Sequence, residues 1–411
     1  MNQQLQLWRQ LVPAYAAGYF LSYSLRSINA VIAPDLMREL SITATGLGLL
    51  TSSYFLAFGL FQLPLGLLLD RFGPRRVEAV LLLVAAAGCA LFGIGTTLLT
   101  LAVARALIGL GVSACLMASF KAFSQWFPGE RFPALSATIM MAGSLGALSA
   151  TVPVEAALPL FGWRGIFFLF AGLLVVTSGF LLTVPDHADS SRHESFGMQV
   201  RTLARIFGNR IFWRFAPQGC VTSGGFMAIQ GLWAVPWLME VNGFSRSAAA
   251  GILFLMGSAM LVGYIFVASC SGWLARRGIA PMTLLITGLG VSLLVELAII
   301  LNIARPTLLW PLVGLSFSLS TLAYSQLTIA FPVSISGRVN STLNLVMFSG
   351  AFSLQWGIGA AVEAFAASSM SRADAFRTTF ALLLAVQALA FAWFLVPVKR
   401  VQRSDAGSSV I

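Results

Sequence analysis

The chain has 411 residues, of which 58% are hydrophobic and only 9% charged, against about a quarter charged in a soluble globular domain. That balance excludes a soluble fold, and the formal charge of +11 has to be explained by where the cations sit before it is credited to nucleic acid. The four cysteines (Cys89, Cys115, Cys220, Cys270) lie inside apolar runs, which excludes a disulfide framework and makes them small hydrophobes.

A helix needs roughly 20 apolar residues to cross about 30 Å of hydrocarbon, and lipid tolerates no bare backbone polar groups. The apolar runs predict helices over 11–34, 45–69, 77–97, 99–124, 132–158 and 163–184, and then over 211–239, 247–275, 281–302, 306–331, 337–366 and 374–396. The first run is too long for a signal peptide and no cleavage pattern follows it, so it is expected to be retained. The expected fold is an all-α polytopic membrane protein with twelve transmembrane helices. Its units are a six-helix bundle (1–184), a linker (185–210), a second six-helix bundle (211–396) and a polar tail (397–411).

Basic residues orient the chain, because they gather on the cytoplasmic side. With the N-terminus inside, inner segments hold sixteen of the 25 Lys and Arg residues, outer segments hold six (Arg38, Arg164, Arg246, Arg305, Arg372, Arg377), and Arg26, Arg105 and Lys121 fall within spans. Both termini are expected in the cytoplasm, with the protein in the inner (plasma) membrane. This topology accounts for the positive charge without nucleic acid. In the linker, Phe196, Val200, Leu203 and Phe207 recur at helical spacing beside Arg201 and Arg205. They form either a basic amphipathic helix along the inner leaflet or a mere tether.

Between the second and third spans stands Gly66-Leu-Leu-Leu-Asp70-Arg71-Phe72-Gly73-Pro74-Arg75-Arg76, where Gly and Pro break the helix. The halves also echo one another. At an offset of 205, Leu7-Trp8-Arg9 aligns with Phe212-Trp213-Arg214, LDRFG at 69–73 with LARRG at 274–278, and ALIGLGVSA at 106–114 with PLVGLSFSL at 311–319. An offset of 207 sets Arg131 on Arg338 and Gly143 on Gly350. Repeats in register imply two bundles of common design, which place a substrate site between them near mid-membrane.

These motifs resemble those of the major facilitator superfamily of secondary transporters. Gly66, Asp70, Arg71, Gly73, Arg75 and Arg76 fall on its signature G-x-x-x-D-R/K-x-G-R-R, with Pro74 inserted. Arg105, Gly109 and Gly111 meet a second signature, and Gly162-Trp163-Arg164 a less specific one. The Gly-Pro pair of the antiporter signature is missing from the fifth span, which offers Gly143, Gly146 and, apart from them, Pro153. The resemblance implies alternating access. It also implies a gate at Asp70, Arg71, Arg75, Arg76 and Arg131, with Asp70 accepting from the start of the eleventh span near Ser336 and Gly337.

At 1.5 Å of rise per residue, Arg26 and Arg105 lie at nearly the same depth. A charge there costs about 2.5–3.5 kcal/mol in lipid. Each arginine therefore faces a cavity or is satisfied by helix-end carbonyls or a glutamate. Two guanidinium forks suit a carboxylate or phosphate, and the pair resembles the family's organic-anion transporters. Tyr15, Tyr19, Ser22, Tyr23, Arg26 and Asn29 form a polar stripe on the first span. Tyr54, Gln230, Trp233, Trp237, Tyr324, Asn344, Phe348 and Gln355 either face the same space or pack between helices. Lys121 is expected to snorkel to the inner surface. Glu155 and Glu363 either pair with outer arginines such as Arg38, Arg164 or Arg372 or stand at the surface without a role. For a coupling proton, the candidates are Asp35, Glu155, Glu240 and Glu296.

There is no Walker A lysine loop and no His/Cys spacing suited to a metal, so no cofactor or metal is expected. No acid/base constellation points to an enzyme. The expected function is a monomeric secondary transporter of a small organic anion by proton symport, with proton-coupled efflux of drugs or amphipathic metabolites as the alternative.

Overall fold

The computed structural model describes residues 2–128, 131–185, 196–332 and 335–396. The tail 397–411 and residues 186–195 of the linker lie outside the described residues. Among the described residues nine helical stretches are long and apolar enough to cross a membrane, two of them interrupted (Leu98–Trp126 and Pro306–Thr328), and further interrupted helices complete the twelve spans. Span one is broken into α1 (Asn2–Ser27) and α2 (Asn29–Leu40), where the sequence predicts one helix over 11–34. Span two is α3 (Ala44–Phe72) and span three α4 (Pro74–Ile94). Gly73 turns between them at φ 79°, an angle glycine adopts without strain, and Pro74 opens α4 where its missing N–H is not needed.

Span four is α5 (Leu98–Gly111) with α6 (Cys115–Trp126). Span five is α7 (Phe132–Ser149) with the start of α8 (Val152–Thr183), and the rest of α8, beyond a backbone break at Gly162 (φ 62°), is span six. The linker forms α9 (Phe196–Phe207). Its Ile206 is buried, and the hydroxyl of its Thr202 accepts from Arg338 Nη1 at 2.9 Å. One side of the helix is therefore docked on the second half.

Span seven is α10 (Arg210–Gln218), α11 (Gly224–Ala228) and α12 (Ala234–Glu240), joined by π-helical turns at Gly219–Ser223 and Ile229–Trp233. Such turns inside α-helices are frequent at functional sites. Spans eight to twelve are α13 (Arg246–Arg276), α14 (Pro281–Ile300), α15 (Pro306–Ser318) with α16 (Leu322–Thr328), α17 (Ser336–Ala367) and α18 (Arg372–Leu395). Leu99, Leu160 and Leu389 are exposed on the rim, as lipid-facing residues are, and all four cysteines are free.

The face where α1 begins and α18 ends is called the near face below, and the opposite one the far face. The halves meet most extensively where α3 runs along α17. Helices in lipid associate through small residues that let backbones approach, and glycines open this seam. A Cβ on Gly359 would lie 2.4 Å from the Ala44 carbonyl oxygen, and one on Gly48 2.8 Å from that of Gln355. Towards mid-membrane the seam ends on Phe58 and Phe348, whose rings are 4.4 Å apart.

Candidate functional site

The break in span one sets up the centre of the molecule. Arg26 stands in the last turn of α1 and is only 9% exposed. Its guanidinium carbon lies 4.4 Å from the Tyr23 ring, 5.1 Å from Phe58 and 5.3 Å from Phe348, with the Tyr54 side chain beside it. Both halves thus contribute to its cage. Among the described residues it makes no ion pair, and its Nε has no hydrogen-bond partner.

Arg105 reaches the same level but is differently engaged. It is 1% exposed, its Nη1 donates to the Leu25 carbonyl at 2.8 Å, and its guanidinium lies 5.0 Å from the Tyr54 ring. Leu25 is in the last turn of α1, where carbonyls lack helical partners. Arg105 thus has a helix-end carbonyl for one of its nitrogens while its Nε, like that of Arg26, has no hydrogen-bond partner among the described residues, and Arg26 is bordered by both halves.

The remaining residues expected at the centre are placed as follows. Tyr19 is buried against Tyr23, ring centroids 5.0 Å apart, and the Tyr54 hydroxyl donates to the Ser22 carbonyl at 3.3 Å. Trp233 is buried and its Nε1 donates to the Gln355 carbonyl at 2.9 Å, so it knits α17 to a π turn. Gln230 in the same turn is half-buried. Tyr324 of α16 donates to Asn344 of α17 in a short hydrogen bond and lies 3.1 Å from Met347 Sδ. Tyr264 of α13, which the sequence reading passes over, is close enough to Tyr23, Tyr324 and Arg26 to feel their charge. Gln355 is fully buried with both amide atoms unpartnered, and its Nε2 and the Arg26 carbonyl both lie within 4 Å of a Cβ built on Gly231.

At the far face, charges join the halves. Arg246 of α13 meets Asp35 of α2 at 2.6 Å and Glu155 of α8 at 4.0 Å, and Glu363 of α17 accepts from both the amide and the hydroxyl of Thr45 in α3. Glu155 thus has an outer arginine, though Arg246 and not Arg38, Arg164 or Arg372. Arg164 pairs instead with Glu39 at 3.0 Å. Of the other proton candidates, Glu240 is exposed at the end of α12, and Glu296 accepts from Ser292 at 3.4 Å within α14.

At the near face a hollow of about 250 Å³ is lined by Gln62, Asp70, Lys121, Leu203, Arg338 and Ser341 among others, which come from both halves and α9. Lys121 comes to this face as expected, and its partner there is Asp70. The Lys121–Asp70 ion pair, at 2.5 Å, is a contact within one half. Arg75 Nη1 donates to the carbonyls of Leu182 and Val184, while Arg71, Arg76 and Arg131 are exposed. A carboxylate that the sequence reading misses is Glu78 of α4, fully buried with neither oxygen meeting an N–H or O–H donor.

The comparisons with known proteins agree with this architecture. A family model described as Major Facilitator Superfamily matches residues 15–353. A probable sulfoacetate transporter of Cupriavidus necator is 29% identical over 42% of this chain and 40% of its own length. A hexuronate transporter of Escherichia coli is 24% identical over 62% of this chain and 64% of its own length. These matched segments thus span under two thirds of either relative. A probable galactarate/D-glucarate transporter of Escherichia coli is 22% identical over 79% of this chain and 80% of its own. Among solved structures, a D-xylose–proton symporter superposes with a TM-score of 0.74 at 14% identity, covering 96% of this chain and 98% of that one. An unoccupied, inward-facing bacterial homologue of the lysosomal transporter Spinster does so with 0.72 at 15%, covering 94% and 96%; both likenesses concern the fold.

Proposed function

The chain belongs to the Major Facilitator Superfamily, and from that premise we propose that it is a secondary active transporter. It moves a small organic anion of the carboxylate class across the inner membrane by alternating access, in symport with a proton, and acts as a monomer. The near face is cytoplasmic, in keeping with the excess of basic residues there. The chemistry printed in the relatives' names (sulfoacetate, hexuronate, galactarate and D-glucarate) supports an anionic substrate.

The observation that carries this reading is the buried cation without a counter-ion. Arg26 lies where both halves meet, caged by Tyr23, Phe58 and Phe348. A buried charge without a partner is costly, and a carboxylate ligand supplies the missing half of the pair. Tyr19, Tyr23, Tyr54, Gln230, Trp233, Tyr324 and Asn344 line or brace the site, and Arg105 keeps the break in span one in register. Asp70, Arg71, Arg75, Arg76 and Arg131 serve the near-face gate, with Lys121 holding Asp70 while that gate is open. Asp35, Glu155, Glu240 and Glu296 remain the acids nominated from sequence for proton coupling.

Truncating one member of a buried charge pair costs about 2 kcal/mol or more, which is roughly a 30-fold loss of affinity. We expect Arg26→Ala to weaken D-glucuronate binding by at least that factor in reconstituted protein, measured by thermal stabilisation and uptake. Undiminished affinity would remove the anion site. The aromatic cage itself favours the second reading, proton-coupled efflux of drugs or amphipathic metabolites. Stabilisation by lipophilic cations alone would select that reading.

A further inference from the structure

We infer that Glu78 of α4 is the residue that carries the coupled proton, an inference that rests on the symport proposed above. Its side chain has no solvent exposure, and neither carboxyl oxygen meets an N–H or O–H donor, the weakly donating Cys115 thiol being the polar group beside it. The carboxyl occupies a space at the junction of α1, α4 and α6 that exists because residue 18 is glycine. A Cβ on Gly18 would lie 2.4 Å from Glu78 Oε1 and 3.8 Å from Cys115 Sγ. Any side chain at position 18 would fill the room that the carboxyl uses.

Among the described residues the other titratable acids are engaged or exposed, Asp374 with Arg377 among them. Asp35 and Glu155 share Arg246, Glu39 holds Arg164, Asp70 holds Lys121, Glu363 holds Thr45, Glu296 has Ser292 and Glu240 faces solvent. The titratable group that faces Glu78 is the Cys115 thiol of α6, while α1 presents the backbone at Gly18. Arg26, eight residues further along α1, acts on Cys115 and makes no ion pair with Glu78.

A buried carboxyl with no compensating cation is tolerated very differently in its charged and neutral forms. Gain or loss of one proton therefore changes how well α1, α4 and α6 fit together. Since α1 also carries Arg26, that change is passed to the substrate site along a single helix. The step balances simply. The carboxylate takes one proton from water on one side of the membrane to become the carboxylic acid, and returns it to water on the other side. One O–H bond forms and breaks.

Two measurements on the reconstituted full chain test this. In the first, infrared difference spectra across a pH step follow the carboxylic C=O band. The wild type is expected to show a titrating band that shifts in Glu78→Asp and vanishes in Glu78→Gln. In the second, Glu78→Gln is expected to keep D-glucuronate counterflow while its accumulation falls to the level reached with the pH gradient collapsed. A buried structural role would not separate those two rates. A band that does not titrate, or a Glu78→Gln protein that accumulates like the wild type, overturns the assignment. If D-glucuronate is not carried at all, the transport reading fails, and the infrared result still decides whether Glu78 exchanges a proton.

Discussion

At the far face, charged side chains reach from one half to the other, whereas near-face pairs among the described residues stay within a half. Arg246 crosses to Asp35 and Glu155, and Glu363 crosses to Thr45. On the other face, Asp70 turns to Lys121, Arg75 to the ends of its own bundle, and Arg214 to the Phe394 carbonyl. Similar residues are present on both faces, and only their partners differ. In lipid no hydrophobic force drives one bundle against the other, so polar contacts across the halves and the glycine seam are what hold them together, and the far face combines both.

The largest effect is expected where the seam is tightest. Gly359→Ala places a methyl against the Ala44 carbonyl, and overpacking of this kind costs about 1–3 kcal/mol. That shifts the balance towards a far-face-open state by roughly 5- to 150-fold, visible as a longer spin-label distance between the far ends of α2 and α13. An unchanged distance distribution would mean that the seam is not what shuts this face.

Arg246→Ala comes next. Its side chain and that of Asp35 are 28% and 24% exposed, so the loss is on the order of 1 kcal/mol, about a fivefold shift by the same measurement. Insensitivity to salt and to this substitution together would reduce the ion pairs to ornament.

The smallest shift is expected for Asp70→Asn, because that contact joins nothing across the halves in this conformation. Its ion pair is 43% exposed on the Asp70 side. Turnover should nonetheless fall while substrate affinity holds, since Asp70 is proposed to leave Lys121 for the start of α17 when the near face shuts. Normal turnover would refute that exchange.

Much of the fold was legible because lipid imposes one rule on every span, namely length and apolarity. The depth of Arg26 and Arg105 was legible for the same reason, through helical rise alone. Partners were harder to read. Lys121 and Asp70 are 51 residues apart, and nothing in their spacing says that the two side chains meet. The break at Ile28 was hidden because Ser27, Ile28 and Asn29 carry no proline or glycine to announce it, and the arginine that accepts the consequence lies three spans away. The π turns of span seven are equally silent in hydropathy. One usable signal went unread. Only six tyrosines occur in 411 residues, and Tyr264, the one left out, lies near Tyr23, Tyr324 and Arg26. Glu78 escaped notice because the charged turn beside it accounts for a carboxylate at that end of a helix.

The interrupted first span has a mechanical consequence. α1 packs on α7 within its own half, while α2 packs both on α3 and α8 of that half and on α12 and the π turn Ile229–Trp233 of the other. One chain segment therefore touches both halves. In the transport cycle proposed above, flexing at the joint near Ile28, where the Arg105 guanidinium meets the Leu25 carbonyl, would let the long helices on either side stay stiff.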